Sequence, residues 1–427
     1  MKKNFSLLLF LLMSFSALSQ KDKLPKTSAG FPINYEEDSV GTYALPDPLF
    51  DSLRGKQTSW YSWDQNRRHV IKDGIEVNQF GRAPARPPDM SFRIYEEGAA
   101  LNGKAIRKQV TVYFTKDTSD HKMNLLIYLP ANATKPSPLI LCVSFVANNQ
   151  AVDDPAVSLG YVWTREGKKI KADQPGRFAK ANVEQFIDAG IGYATVYYGE
   201  IEPDFKGGIK YGIRSQYLKP GQTQPAPEEW GAIAAWSWGL SRAMDFFETD
   251  KQIDSKRIAL QGASRLGKTV LWTGARDNRF KVVIASISGE GGAALSRRNY
   301  GENLKHITDT SRYFYQFAAN YHSYATRVNE LPFDAHMLVA LMAPRPLLLQ
   351  TGDSDYWSDP KGEFLSAVAA EPVYNLFGKK GPGTKTFPAA GDESLLMNEL
   401  GYYMHKGGHT VLPEDWVLFI KYLKKFL

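Results

Sequence analysis

Four short apolar runs constrain this chain most. They read PLILCVSF (Pro138–Phe145), RIALQG (Arg257–Gly262), FKVVIASIS (Phe280–Ser288) and PRPLLLQTGD (Pro344–Asp353). A strand that is apolar without alternation is buried on both faces, as in a parallel sheet covered by helices. Helical segments lie between and beyond these runs. VEQFIDAG ends at Ala189-Gly190, and a strand follows from Gly192 to Tyr198. Glu228–Thr249 repeats apolar residues at three- and four-residue spacing, and DWVLFIKYLKKF closes the chain as an amphipathic helix. Two earlier runs, Lys108–Phe114 and Met123–Pro130, read as paired strands. WDQNRRHVIKDGIEVNQFGRAP reads as a helix ending near Gly81. The alternation predicts an α/β fold, a mostly parallel central sheet with helices on both faces in a three-layer sandwich.

The chain of 427 residues shows no repeat and no low-complexity linker. The expected division is a leader at 1–19, an N-terminal extension at 20–105 and the α/β domain at 106–427. The leader reading rests on Lys2 and Lys3, the apolar run Phe5–Phe15 and the small-residue site Ala17-Leu18-Ser19. It predicts export to the periplasm or beyond. The run is short for a membrane span, and no other segment is long and apolar enough, so no membrane insertion is expected once the leader is cleaved. Cys142 is the one cysteine, so no intrachain disulfide can form. It sits in an apolar run without a basic neighbour and reads as packing. The formal charge of +7 is scattered along the chain, which gives no nucleic-acid signature. The chain is expected to act as a monomer.

LQGASRLGKTV (Leu260–Val270) carries the chemistry. Ser264 follows an apolar strand and small residues, and precedes a helix. That is the setting of a nucleophilic serine on a tight strand-to-helix turn. The usual G-x-S-x-G spelling fails by one place, because Leu266 stands where Gly267 should. The serine needs a base. MHKGGHTVLPEDW offers His405 and His409. His409 follows two glycines ahead of the terminal helix and is preferred, leaving His405 as a surface residue. His69, His121, His306, His322 and His336 read as structural or exposed. The acid should follow the penultimate strand, where Asp353, Asp355, Asp359 and Glu363 lie. Proximity to the strand end favours Asp355, giving the order Ser264, Asp355, His409. A backbone amide near Val146 is expected to help hold the oxyanion. The histidines show no H-E-x-x-H spacing, so neither a metal nor an organic cofactor is expected.

At these residues the sequence resembles the glucuronoyl esterases, carbohydrate esterase family 15. The likeness is carried by GASRLGK, SGEGGAALSRRNYGENL, FDAHMLVALMAPRPLLLQTGDSDYWSDPKGEF and GGHT, with YGEIEPDF and RRHVIKDGIEVNQFGRAP also similar. It runs from about residue 30 to the C-terminus. The resemblance implies an α/β-hydrolase that cleaves the ester between 4-O-methyl-glucuronic acid branches of xylan and lignin alcohols. It implies Ser264 as nucleophile, His409 as base, Arg265 as oxyanion stabiliser, Lys268 as ligand of sugar hydroxyls, and Glu302 and Trp357 as sugar contacts.

Elementary electrostatics adds a requirement. Arg265 and Lys268 fall in the first turn of a helix, where cations oppose the helix dipole. Each therefore needs a partner, either a protein carboxylate or an acidic ligand. One position departs from the family pattern. Many members carry the catalytic glutamate where this chain has Ile287. Some bacterial-type members place the acid after the later strand, which matches Asp355, with Glu290 as a minor alternative. Two other readings stand beside this one: another carbohydrate esterase, such as an acetyl-xylan esterase, and a non-catalytic carbohydrate-binding relative.

Overall fold

The apolar runs form the middle of a nine-stranded sheet in the computed structural model, which describes residues 24–119, 121–176, 178 and 180–427. The leader at 1–19 lies outside the described residues. The strands are β1 (Ser91–Ala100), β2 (Ala105–Tyr113), β3 (Lys122–Pro130), β4 (Ser137–Ser144), β5 (Gly192–Tyr197), β6 (Ile253–Ala263), β7 (Phe280–Ser286), β8 (Leu347–Gly352) and β9 (Leu400–His405). Their order across the sheet is β9-β8-β7-β6-β4-β5-β3-β2-β1. From β9 to β5 every neighbouring pair is parallel. β3, β2 and β1 then follow as an antiparallel meander. β1, counted with the extension in the expected division at residue 105, is the edge strand of this sheet.

The continuous runs are explained by burial on both faces. In β8, Leu347, Leu348 and Leu349 are all fully buried. Leu347 and Leu349 join one core cluster and Leu348 joins the other. Each such leucine contributes roughly 1.5–3 kcal/mol relative to an exposed one. Six helices matter here: α1 (Arg68–Ile75), α2 (Val183–Asp188), α3 (Ala232–Phe247), α4 (Arg265–Arg276), α5 (Pro360–Leu376) and α6 (Pro413–Phe426). The larger cluster packs α1, α3, α4 and α5 on one face of the sheet. The smaller packs α2 and α6 on the other. This is the three-layer α/β arrangement.

α1 lies within a longer helical stretch from Trp60 to Phe80, with π-helical turns at Trp63–Arg67 and Glu76–Phe80. It stops at Gly81, whose φ is +83°. A Cβ there would lie 2.1 Å from the Glu229 carbonyl oxygen, so only glycine fits. Trp230, Trp236 and Trp238 are buried in the core around α3, as packing residues. Cys142 is buried too, and burial pushes its thiol pKa well up, which makes it inert. Among the described residues no helix is long and apolar enough to cross a membrane.

Candidate active site

The parallel strands all point their C-terminal ends to one rim, and ligands of open α/β sheets bind at such a rim. Ser264 leaves the end of β6, Asp355 follows β8, and His409 follows β9. Ser264 adopts φ +59° and ψ −128°. A non-glycine residue rarely does so, and such strain clusters at functional turns. Its amide donates to the Ser286 carbonyl at the end of β7 (2.9 Å), and its carbonyl accepts the first α4 bond from the Lys268 amide (3.1 Å).

The glycines around the turn explain its spelling. A Cβ on Gly262 would meet the Leu266 carbonyl oxygen at 2.4 Å. A Cβ on Gly267 would meet the Ser286 carbonyl oxygen at 2.7 Å. The shifted glycine is therefore the point where α4 crosses the end of β7. Leu266, at the vacated place, is fully buried in the core.

His409 Nδ1 is 2.7 Å from Asp355 Oδ2 and 3.0 Å from Ser358 Oγ. Asp355 is buried, while the His409 side chain is 42% exposed. The pairing leaves Nε2 as the ring atom for proton transfer. The other acids after β8 have different partners. Asp353 accepts the Gly407 amide (2.9 Å). Asp359 caps α5 and pairs with Arg298 (3.0 Å). Glu363 accepts the Gly289 amide (2.6 Å), and burial raises its pKa to about 8. Glu290 accepts the Ser296 hydroxyl (2.7 Å), and burial raises it likewise to about 8.

At the departure from the family pattern, Ile287 is buried with φ +43°, and its amide donates to the Gln350 carbonyl at 2.6 Å. A β-branched residue at positive φ is a genuine outlier. The backbone keeps a strained turn here although the side chain is apolar.

His405 is not on the surface. It is buried, with Nδ1 2.8 Å from Asp415 Oδ2 and Nε2 3.2 Å from the Gly408 carbonyl oxygen. Burial alone would lower its pKa, but the hydrogen bond and charge of Asp415 outweigh burial and raise it. His405 thus ties the glycine loop that carries His409 to the start of α6.

Of the two cations of α4, Arg265 has the carboxylate partner that the dipole argument demands. Arg265 Nη1 donates to Asp204 Oδ2, and its guanidinium lies over the Tyr313 ring, 4.8 Å from the centroid. Asp204 also accepts from the Tyr198 hydroxyl (2.9 Å), the Tyr315 hydroxyl (2.9 Å) and Gln316 Nε2 (2.7 Å). Burial works to raise the Asp204 pKa, but Arg265 and these donors outweigh it and hold the carboxyl low. Asp204, Tyr315 and Gln316 were assigned no role from sequence. The signal for a counter-charge was present in the misplaced cation, but nothing marked which carboxylate supplies it.

Lys268 is buried, and burial lowers its pKa against the attraction of Glu302. Glu302 is buried as well. Burial raises its pKa, opposed by Lys268 and Arg312. Its amide donates to the Trp357 carbonyl at 2.8 Å, so the Glu302 and Trp357 backbones are joined. The Val146 amide, near which an oxyanion donor was expected, donates to Ser144 Oγ at 3.1 Å and is engaged within its own loop.

A parallel sheet with a serine on a strained strand-to-helix turn, and a carboxylate-bound histidine after the last strands, has the arrangement of an α/β-hydrolase. Comparison with known proteins agrees. A family model for fungal glucuronyl esterases matches residues 225–378. The carbohydrate esterase MZ0003, from an unknown prokaryotic organism, is 41% identical over 91% of each chain. A glucuronoyl esterase structure from Solibacter usitatus is 46% identical, with a TM-score of 0.86, covering 91% of this chain and 99% of the other. A 4-O-methyl-glucuronoyl methylesterase from Phanerochaete carnosa is 30% identical, over 91% of this chain and 86% of its own. The chain belongs to the glucuronoyl esterases, carbohydrate esterase family 15, and is by that membership a carboxylic ester hydrolase.

Proposed function

We propose that the protein hydrolyses the ester joining a (4-O-methyl-)glucuronic acid branch of glucuronoxylan to a lignin alcohol, through an acyl-enzyme on Ser264. The observation that carries this reading is that His409, after the last strand, bonds Asp355 through Nδ1 while its side chain stays 42% exposed. It supports the ring as a base at Nε2 in a chain with Ile287 at the family's usual acid position. That pairing weighs against a non-catalytic relative.

His409 Nε2 takes the Ser264 hydroxyl proton as the oxygen attacks the uronoyl carbonyl. The developing oxyanion is held by Arg265, through its guanidinium and the amide that follows the nucleophile. The guanidinium is always charged, so it stabilises the oxyanion without a proton transfer of its own. Asp204 holds one nitrogen of the fork. With the Val146 amide engaged, Arg265 carries more of this task. The protonated His409 then gives its proton to the leaving alcohol. Water, deprotonated by the same ring, cleaves the acyl-enzyme and releases the glucuronate and free Ser264. Lys268, Glu302 and Trp357 grip the sugar ring. The leader and the polymeric substrate together favour an exported enzyme that is not inserted in a membrane and works as a monomer.

The test is turnover of benzyl glucuronate beside acetylated xylan. Wild type should prefer the uronate ester, and Ser264→Ala should lose at least about 10³-fold in kcat. Preference for the acetyl ester, or activity retained in Ser264→Ala, contradicts the proposal.

A further inference from the structure

Arg312 is, after Lys268, the cation that acts most on Glu302, and the reaction chemistry does not use it. Its Nη2 is 3.3 Å from Glu302 Oε1. The guanidinium lies over the Trp357 ring, 5.3 Å from the centroid, and over the Tyr313 ring at 4.8 Å. The Tyr313 ring is the one that Arg265 also stacks on. One planar cation therefore touches two of the three side chains proposed to grip the sugar.

The N-terminal segment holds this cation in place. Thr27–Ser28 and Phe31–Pro32 pair as a small hairpin. Its two turn residues, Ala29 and Gly30, both have positive φ (52° and 79°), as a tight two-residue turn requires. Arg312 Nη1 donates to the Ser28 hydroxyl. Phe31 packs edge-on against His306 at 6.4 Å, and His306 packs against Trp357 at 5.6 Å. Just beyond, the Gly301 amide donates to the Asn34 carbonyl (2.8 Å), one residue before Glu302. The hairpin thus backs both Arg312 and Trp357.

We infer that Arg312, clamped by the N-terminal hairpin at Ser28, is a positioning residue that sets how Glu302 and Trp357 present themselves to the sugar. The inference rests on the uronate-ester reading of the site. A buried glutamate tends to take up a proton, and the Arg312 guanidinium, bonded to its carboxylate, opposes that shift together with Lys268. The guanidinium over the ring also limits how far the indole can turn, which lowers the ordering cost of binding. Neither effect touches the proton path from Ser264 to His409, so both should appear in KM.

The experiment compares wild type, Arg312→Ala, Arg312→Lys and Ser28→Ala in the full chain. It reads kcat and KM on benzyl glucuronate and the rate at which a fluorophosphonate labels Ser264. Arg312→Ala should raise KM about tenfold, with kcat within about twofold and an unchanged labelling rate. Arg312→Lys should fall between, since an ammonium keeps the charge but not the planar stack. Ser28→Ala should shift KM in the same direction by less. An unchanged KM in Arg312→Ala overturns the inference while the uronate reading stands. A joint fall in kcat and labelling rate overturns it too, because Arg312 would then act through the triad or the fold. Wild type inactive on the uronate ester sinks the reading beneath it, a result distinct from either.

Discussion

Two histidines four residues apart carry nearly the same bond and sit in different surroundings. His405 Nδ1 meets Asp415 at 2.8 Å, and His409 Nδ1 meets Asp355 at 2.7 Å. The His405 side chain is 4% exposed, and its Nε2 is engaged by the Gly408 carbonyl. The His409 side chain is 42% exposed and stands at the rim where Ser264 emerges. A histidine–carboxylate pair is therefore not a catalytic signature in itself. What separates the two is that the second nitrogen of His405 is bonded inside the protein, while the His409 side chain is open to solvent.

The sharpest way to break this comparison is to remove each ring in turn. His409→Ala should cost on the order of 10⁴-fold in kcat on benzyl glucuronate, and because it leaves Asp355 buried without its ring partner it should lower Tm as well. His405→Ala should act on stability without a comparable kinetic loss. It leaves Asp415 buried without its partner, which costs about 3 kcal/mol of stability. Activity per folded molecule should change far less than in His409→Ala. Thermal unfolding and active-site titration on both variants separate the two roles, and equal kinetic losses would erase the distinction.

The subtler difference is in pH. The folded pKa of His405 is raised, so its stabilising contribution is fully present below the unfolded value near 6.5 and is lost as pH rises through the higher folded value. Asp415→Asn removes the cause. The stability gap between wild type and this variant should be wider at about pH 5.5 than at about pH 9. A gap that widens toward alkaline pH would mean that His405 is held neutral.

How much was legible in the sequence follows the same divide between local and distant causes. The parallel strands were readable because burial on both faces leaves apolar runs such as Leu347-Leu348-Leu349. β9 was not named, because LGYYMH carries tyrosines whose polarity is satisfied only in the fold. The Tyr402 hydroxyl bonds Thr351 Oγ1 at 2.7 Å and the Pro360 carbonyl at 2.9 Å. The strand-to-helix turn at Ser264 was readable from its small residues and flanking patterns. The need for a counter-charge to Arg265 was readable from the helix dipole, but Asp204 lies 61 positions away and no local pattern points to it. His405 was misplaced on the surface because its partner, Asp415, belongs to the first turn of α6, and only the folded loop brings them together.

The account turns on Asp355 as the carboxylate that makes His409 a base, in a chain with isoleucine at 287. The direct measurement is kcat on benzyl glucuronate for Asp355→Asn, with Glu290→Gln as the companion variant. The account predicts a loss of about 10³- to 10⁴-fold for Asp355→Asn, with Tm near wild type, and a change within about twofold for Glu290→Gln. Near wild-type turnover in Asp355→Asn, or the large loss in Glu290→Gln, would contradict it.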